Sequence, residues 1–188
     1  MRPDIHFGII REGGFSLLEL MITLAVTAIL LAVGVPSFQD SVEKRRTISA
    51  AEEIYGQLQL ARSEAVARSQ PVFMNIATGA NWAIGISDNV ACDPSDNNPV
   101  CTLPDMQGGN AITHRFSAVD HDTVGLTATA ASISFLPQRG TANSASINVT
   151  STGGVGYIMR VNVGALGQIS MCSPDADASK YVLGYRAC

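Results

Sequence analysis

The chain has 188 residues, the size of one ordinary domain, and 46% of them are hydrophobic. Its formal charge of -4, from 12 Lys and Arg against 16 Asp and Glu, argues against a nucleic-acid partner, because phosphate backbones select clustered cations. The average hides two regimes: no charged residue occurs from Leu20 to Phe38, whereas the remainder is polar, glycine-rich and poor in aromatics.

The first element lies in the stretch EGGFSLLELMITLAVTAILLAVGVPSF, Glu12 to Phe38. It is apolar enough to cross a bilayer, yet it carries Glu19, five residues past Gly13-Gly14. A carboxylate in hydrocarbon costs roughly 2.5 to 3.5 kcal/mol on insertion scales, so its presence needs a reason. A cleaved secretory signal has a shorter apolar core and its small residues after that core, whereas here the Gly-Gly pair precedes a longer one. A plain anchor explains the length and leaves Glu19 idle. A cut after Gly14 explains both: it exposes an α-amino group on Phe15, four residues from Glu19, and the amine of one subunit can then neutralise the carboxylate of its neighbour.

Gly14 before the cut, Phe15 after it and Glu19 at the fifth position of the processed chain closely resemble the class III signal of type IV pilins and type II secretion pseudopilins, and Pro36 falls where many of those helices carry a proline. The resemblance implies a prepilin peptidase that removes residues 1–14 and methylates Phe15. It also implies residence in the bacterial inner membrane as a single span with the head in the periplasm, then extraction into a fibre. The partners it implies are other minor pilins and the major pilin.

Past Pro36, which removes an amide donor and should kink the helix, the helical period continues. Ala51, Ile54, Leu58, Ala61 and Ala65 form one apolar stripe, with Glu52, Glu53, Arg62 and Arg68 elsewhere on the cylinder. Ser69-Gln70-Pro71 ends it. The basic cluster Lys44-Arg45-Arg46 just past the apolar run reads as a solvated juxtamembrane turn. Beyond Pro71 short β-branched or aromatic runs are broken by Gly, Asn, Pro and Asp: PVFMNIA, WAIGIS, HRFSAV, SISFLP, ASINVTS and YIMRVNVGALGQISM. The expected fold is therefore α+β, a long N-terminal helix packed on an antiparallel β head of two small sheets. Its parts are a leader at 1–14, a transmembrane or fibre-core segment at 15–38, the amphipathic half of the same helix at 39–70 and the β-rich head at 71–188.

Four cysteines, Cys92, Cys101, Cys172 and Cys188, follow the apolar segment and suit two disulfides in an oxidising compartment. Three pairings are open; Cys92 with Cys101 and Cys172 with Cys188 is the expected one, because each pair brackets a loop-like stretch. The order of elements, with NWAIGISD early and ISFLPQRG midway, is similar to the GspH/FimT group of minor pilins and pseudopilins. Many of that group carry Gly-Arg-x-Arg near the last strand, and some are held to grip DNA with it; here Gly167-Gln168-Ile169-Ser170 has neither arginine, and Arg139, Arg160, Lys180 and Arg186 are scattered among acids. The Cys172 to Cys188 loop resembles that of FimU-like minor pilins.

A search for chemistry returns no nucleophile elbow, zinc-protease helix or phosphate loop, so neither an enzyme nor a cofactor or metal is expected. Asp120-His121-Asp122 reads as a turn, His114 as a strand histidine and Trp82 as packing. Asp93, Ser95, Asp96, Asn97 and Asn98 offer oxygens to a cation, but lack EF-hand spacing and read as an Asx-rich stapled turn. The glycines of GGN and STGGVG are expected at bends with positive φ. Intact-mass spectrometry of the chain extracted from membranes should show a polypeptide beginning at Phe15 with one added methyl group. An intact leader, or a cut beyond Phe38, would contradict the reading of Gly14 and Phe15.

Overall fold

A computed structural model describes residues 14–79, 81–95, 101–105, 111–174 and 180–188. The chain divides into two compact units, Met1–Gln39 and Asp40–Cys188. One helix, α1 (Leu17–Arg68), runs through Pro36 and contributes to both.

In the first unit every described residue, Gly14 to Gln39, is exposed, including Phe15, Leu18, Leu24, Ile29, Leu31 and Phe38. In the second unit α1 behaves in the opposite way. Thr47, Ala50, Ala51, Ile54, Leu58, Ala61 and Ala65 fall on one face of the helix and are fully buried. Four of these seven are alanines. The helix stops at Arg68, with Ser69 in the left-handed region at φ 53° and its amide donating to the Val66 carbonyl at 3.3 Å. Pro71 then forbids a further helical turn. Arg68, in the last turn, pairs with Glu64 at 2.7 Å and donates a second bond to the Pro104 carbonyl.

Ten strands follow: β1 (Val72–Ala77), β2 (Ala83–Ser87), β3 (Thr102–Leu103), β4 (Ile112–Thr113), β5 (Arg115–Ser117), β6 (Val124–Ala128), β7 (Ser132–Phe135), β8 (Ala145–Ser151), β9 (Ile158–Val163) and β10 (Ile169–Cys172). They form two four-stranded antiparallel sheets, β5-β2-β1-β7 and β10-β9-β8-β6, and a two-stranded ribbon, β3-β4. Register aligns the apolar sets. Met74 stands between Ile86 and Ile133, and Val149 between Leu126 and Met159. Strand β8 alternates strictly, with Ala145, Ile147, Val149 and Ser151 inward. Both inner faces and the α1 stripe share one core. The run 157–171 divides into β9 and β10 at a turn where the Gly164 amide donates to Gln168 and that of Gly167 to Gly164. Gly167, at φ 71°, has the Gly140 carbonyl oxygen 1.8 Å from where a Cβ would stand, so only glycine fits.

Strand β2 is buried on both faces. Ile84 and Ile86 enter the core, while Cys101 of the Cys92–Cys101 disulfide covers Gly85 on the other side. A Cβ on Gly85 would lie 2.6 Å from Cys101 Cβ, 2.7 Å from its Sγ and 3.1 Å from Pro94. Gly85→Ala should therefore destabilise the fold by about 1–3 kcal/mol, the usual range for overpacking, seen as a lower midpoint in thermal unfolding. Repeated in a chain carrying Cys92→Ser and Cys101→Ser, the same substitution should lose most of its effect, because the atoms it strikes can move away.

Candidate processing and assembly site

The start of α1 collects the three residues singled out for processing and assembly. Ser16 stands before the helix as its cap: its hydroxyl accepts the Glu19 amide at 3.1 Å, and its carbonyl accepts the Leu20 amide at 3.2 Å. Gly14 and Phe15 lie outside the helix and are exposed. Glu19 occupies the first turn, where an anion also meets the positive end of the helix dipole. Within the apolar run Thr23 and Thr27 return their hydroxyls to the carbonyls of Leu20 and Thr23, at 2.9 and 2.7 Å, so neither leaves an unbonded donor in apolar surroundings. The segment is long and apolar enough to cross a membrane.

A second cluster ties α1 into the sheets of its own unit. Ser151 donates its hydroxyl to Glu43 Oε1 at 2.5 Å, and the Gly156 amide donates to the same oxygen at 3.0 Å. Gly153 packs so closely that a Cβ there would touch the carboxylate at 2.7 Å. Burial acts to raise the Glu43 carboxyl, but the Ser151 hydroxyl and the amides of Gly156, Val155 and Gly154 outweigh it and hold it below its ordinary value. Asp40, one turn earlier, accepts the Tyr157 hydroxyl at 2.8 Å; burial and that bond together push the phenol up. Of the STGGVG glycines, Gly156 alone has positive φ, at 74°; Gly153 serves instead by lacking a side chain. The GGN glycines lie outside the described residues.

The C-terminal loop is strapped to the same helix. Cys172 bonds Cys188, Ser173 pairs in parallel with Ala187, and Val182 is fully buried in the core. Tyr185 donates its hydroxyl to Glu52 at 2.8 Å; burial first, then that carboxylate, pushes the phenol up to about 12. At the other disulfide, Asn75 donates to Cys92 Sγ at 2.8 Å and to the Asn89 carbonyl at 3.1 Å, and Arg115 donates to the Pro94 carbonyl at 2.7 Å.

The remaining candidates fall into structural settings. Asp120 accepts the amide and hydroxyl of Ser117. His121 packs edge-on against Phe116 and lies 3.5 Å from Glu53. Trp82 is buried, with its indole donating to the Val124 carbonyl at 2.6 Å. Asp93 accepts the Ser95 amide and hydroxyl in an Asx turn, while Asp96, Asn97 and Asn98 lie outside the described residues. Arg160 is engaged by Asn148 at 2.7 Å. Sequence reasoning missed Asp40, Glu43, Ser151 and Tyr157. The signal was there: Glu43 continues the buried stripe one turn beyond Thr47, and an acid on a core-facing row needs donors, which a glycine-rich loop supplies.

Two family descriptions match the chain: "Type II transport protein GspH" over residues 50–167 and "Prokaryotic N-terminal methylation motif" over residues 10–35. A fimbrial protein of Pseudomonas aeruginosa is 25% identical over 97 residues, 52% of this chain, and the chain spans 63% of that relative's length. The type IV major alpha-pilin of Moraxella bovis is 40% identical over 43 residues, 23% of this chain and 27% of its own. The crystal structure of the type IV minor pilin FimU of P. aeruginosa shares the fold, with a TM-score of 0.50 and 20% identity over 74% of this chain and 98% of that one.

Glu43→Gln keeps the shape and removes the charge that the four donors hold, so it should lower stability at neutral pH by about 1 kcal/mol, the half-exposed setting screening part of a charged hydrogen bond. Because folding lowers this carboxyl, its contribution is fully present above its ordinary value of 4.5 and is lost as pH falls through the lowered one. Thermal midpoints of the two proteins in detergent should differ at pH 7 and converge as the medium is acidified below pH 4; a constant gap would contradict the assignment.

Proposed function

The chain belongs to the family of the type II transport protein GspH, and on that premise we propose that it is a minor pilin of a type IV pilus, acting in the tip or initiation complex that primes assembly. It acts through structure, without turnover. The observation that carries this reading is the contrast within α1: residues 17–39 are exposed throughout, while the stripe from Thr47 to Ala65 is buried in the core that the sheets share. The exposed segment therefore needs cover from outside the chain. In the inner membrane lipid supplies it, with the head in the periplasm; in the fibre the corresponding segments of neighbouring subunits do.

Prepilin peptidase would cut after Gly14 and methylate Phe15. The capped start of α1 then holds Glu19 in the first turn, where it receives the Phe15 amine of an adjacent subunit. Each group removes the desolvation penalty of the other, and the pair sets the axial register. The likeness to a fimbrial protein and the fold shared with a minor pilin support the pilus. The family's own description, a type II transport protein, favours a second reading: a pseudopilin of type II secretion, in which the same residues would do the same work.

Glu19→Ala should leave processing and membrane insertion intact and lower incorporation into sheared fibres by at least about tenfold, since stranding one buried charge costs about 3–5 kcal/mol. Immunoblots of the fibre and membrane fractions would measure both, and normal incorporation would contradict the role given to Glu19. Deleting the gene separates the two readings: loss of surface fibres with secretion intact favours the pilus, and the reverse favours the pseudopilin.

A further inference from the structure

The residues just past the apolar run carry a charge pattern that changes once the fold is known. From Gln39 to Arg46 the chain reads QDSVEKRR, two acids against three bases, which nearly cancel in sequence. In the structure both acids turn into the C-terminal unit. Asp40 accepts the Tyr157 hydroxyl, and Glu43 is held by Ser151 and Gly156. Among the described residues no carboxylate pairs with Lys44, Arg45 or Arg46. Arg45 and Arg46 are exposed, and the contact recorded for Arg46 is a long one, 3.5 Å to the Thr123 hydroxyl. The fold thus sorts the charges: both acids are bonded to the C-terminal unit, while Arg45 and Arg46 stay exposed.

We propose that Lys44, Arg45 and Arg46 form a collar that binds anionic phospholipid headgroups, an inference that rests on the reading of residues 15–38 as a membrane segment. Charge complementarity selects this occupant. The bases begin six residues past Phe38, the last residue of the apolar run. The long stems of Lys and Arg let charges a short way past an apolar run reach the polar layer of a bilayer. Each base near an anionic surface strengthens association by about fivefold, and salt screens the effect. The collar holds the subunit at a fixed depth before assembly. Extraction into a fibre must break these contacts, so a membrane richer in anionic lipid should release the subunit less readily.

The test uses the full chain purified in mixed micelles containing equal amounts of phosphatidylglycerol and phosphatidylcholine with matched acyl chains, with the lipid retained by the protein measured by mass spectrometry. The wild-type protein should enrich phosphatidylglycerol, and the variant K44Q/R45Q/R46Q should lose about tenfold or more of that enrichment. Circular dichroism should show the variant equally folded, since Arg45 and Arg46 are exposed and none of the three lies in the core. Equal enrichment in the two proteins overturns the proposal, as does a variant that keeps its lipid but loses affinity for a neighbouring subunit, which would assign the collar to a protein partner. Carbonate washing of native membranes separates the underlying reading: wild-type chain released into the wash refutes the membrane segment itself, whereas retained chain with no lipid preference refutes the collar alone.

Discussion

The fold depends on the burial of one narrow stripe of α1. From Thr47 to Ala65 seven side chains are completely covered, and the most frequent of them is alanine. Burying alanine contributes little area for each residue, so most of the apolar area around the stripe comes from larger side chains. Leu58 and Ile54 supply the bulk, and Met74, Phe135, Ile147 and Met159 surround a shared core with them. Two four-stranded sheets need such a common partner, because each has only one apolar face to hide.

Polar contacts secure that arrangement at both ends of the stripe. Near Thr47 the Glu43 carboxylate gathers a hydroxyl and the amides of a glycine-rich loop. Near Ala65, Arg68 ties the last helical turn to Glu64 and to Pro104. The disulfides act on the parts that the stripe cannot reach. Cys92–Cys101 covers the outer face of β2 at Gly85, and Cys172–Cys188 holds a loop whose Val182 enters the core and whose Tyr185 meets Glu52 on the helix. Each closes a short loop, with its cysteines 9 and 16 residues apart, which restricts the unfolded chain more than the folded one.

The same helix thus meets two environments with two sequence patterns. Where apolar residues recur at helical spacing, the chain covers them itself; where they run without interruption, it leaves them open. An open apolar segment with an acid near its start cannot be satisfied by one molecule in water, and this is the physical reason that the proposed role is one of assembly.

Much of this was legible in the residues. The length of the helix, its stop before Pro71, the stripe from Ala51 to Ala65 and most of the longer strands follow from the spacing of apolar residues and from proline and glycine, which act on their immediate neighbours. The position of Glu19 in an uncharged run is likewise a fact of sequence. Strand β6 escaped notice because Val124-Gly125-Leu126-Thr127-Ala128 is a weak strand former that becomes one through its pairing with β8. That Gly167, in the turn between β9 and β10, must be a glycine is decided by the carbonyl of Gly140, 27 residues earlier in the chain. The inward turn of Asp40 and Glu43 needs donors from 151–157, more than a hundred residues distant. Local periodicity fixes which elements form and which of their faces is apolar; the fold alone decides which partners those faces and charges meet, because contacts between remote segments leave no spacing to read.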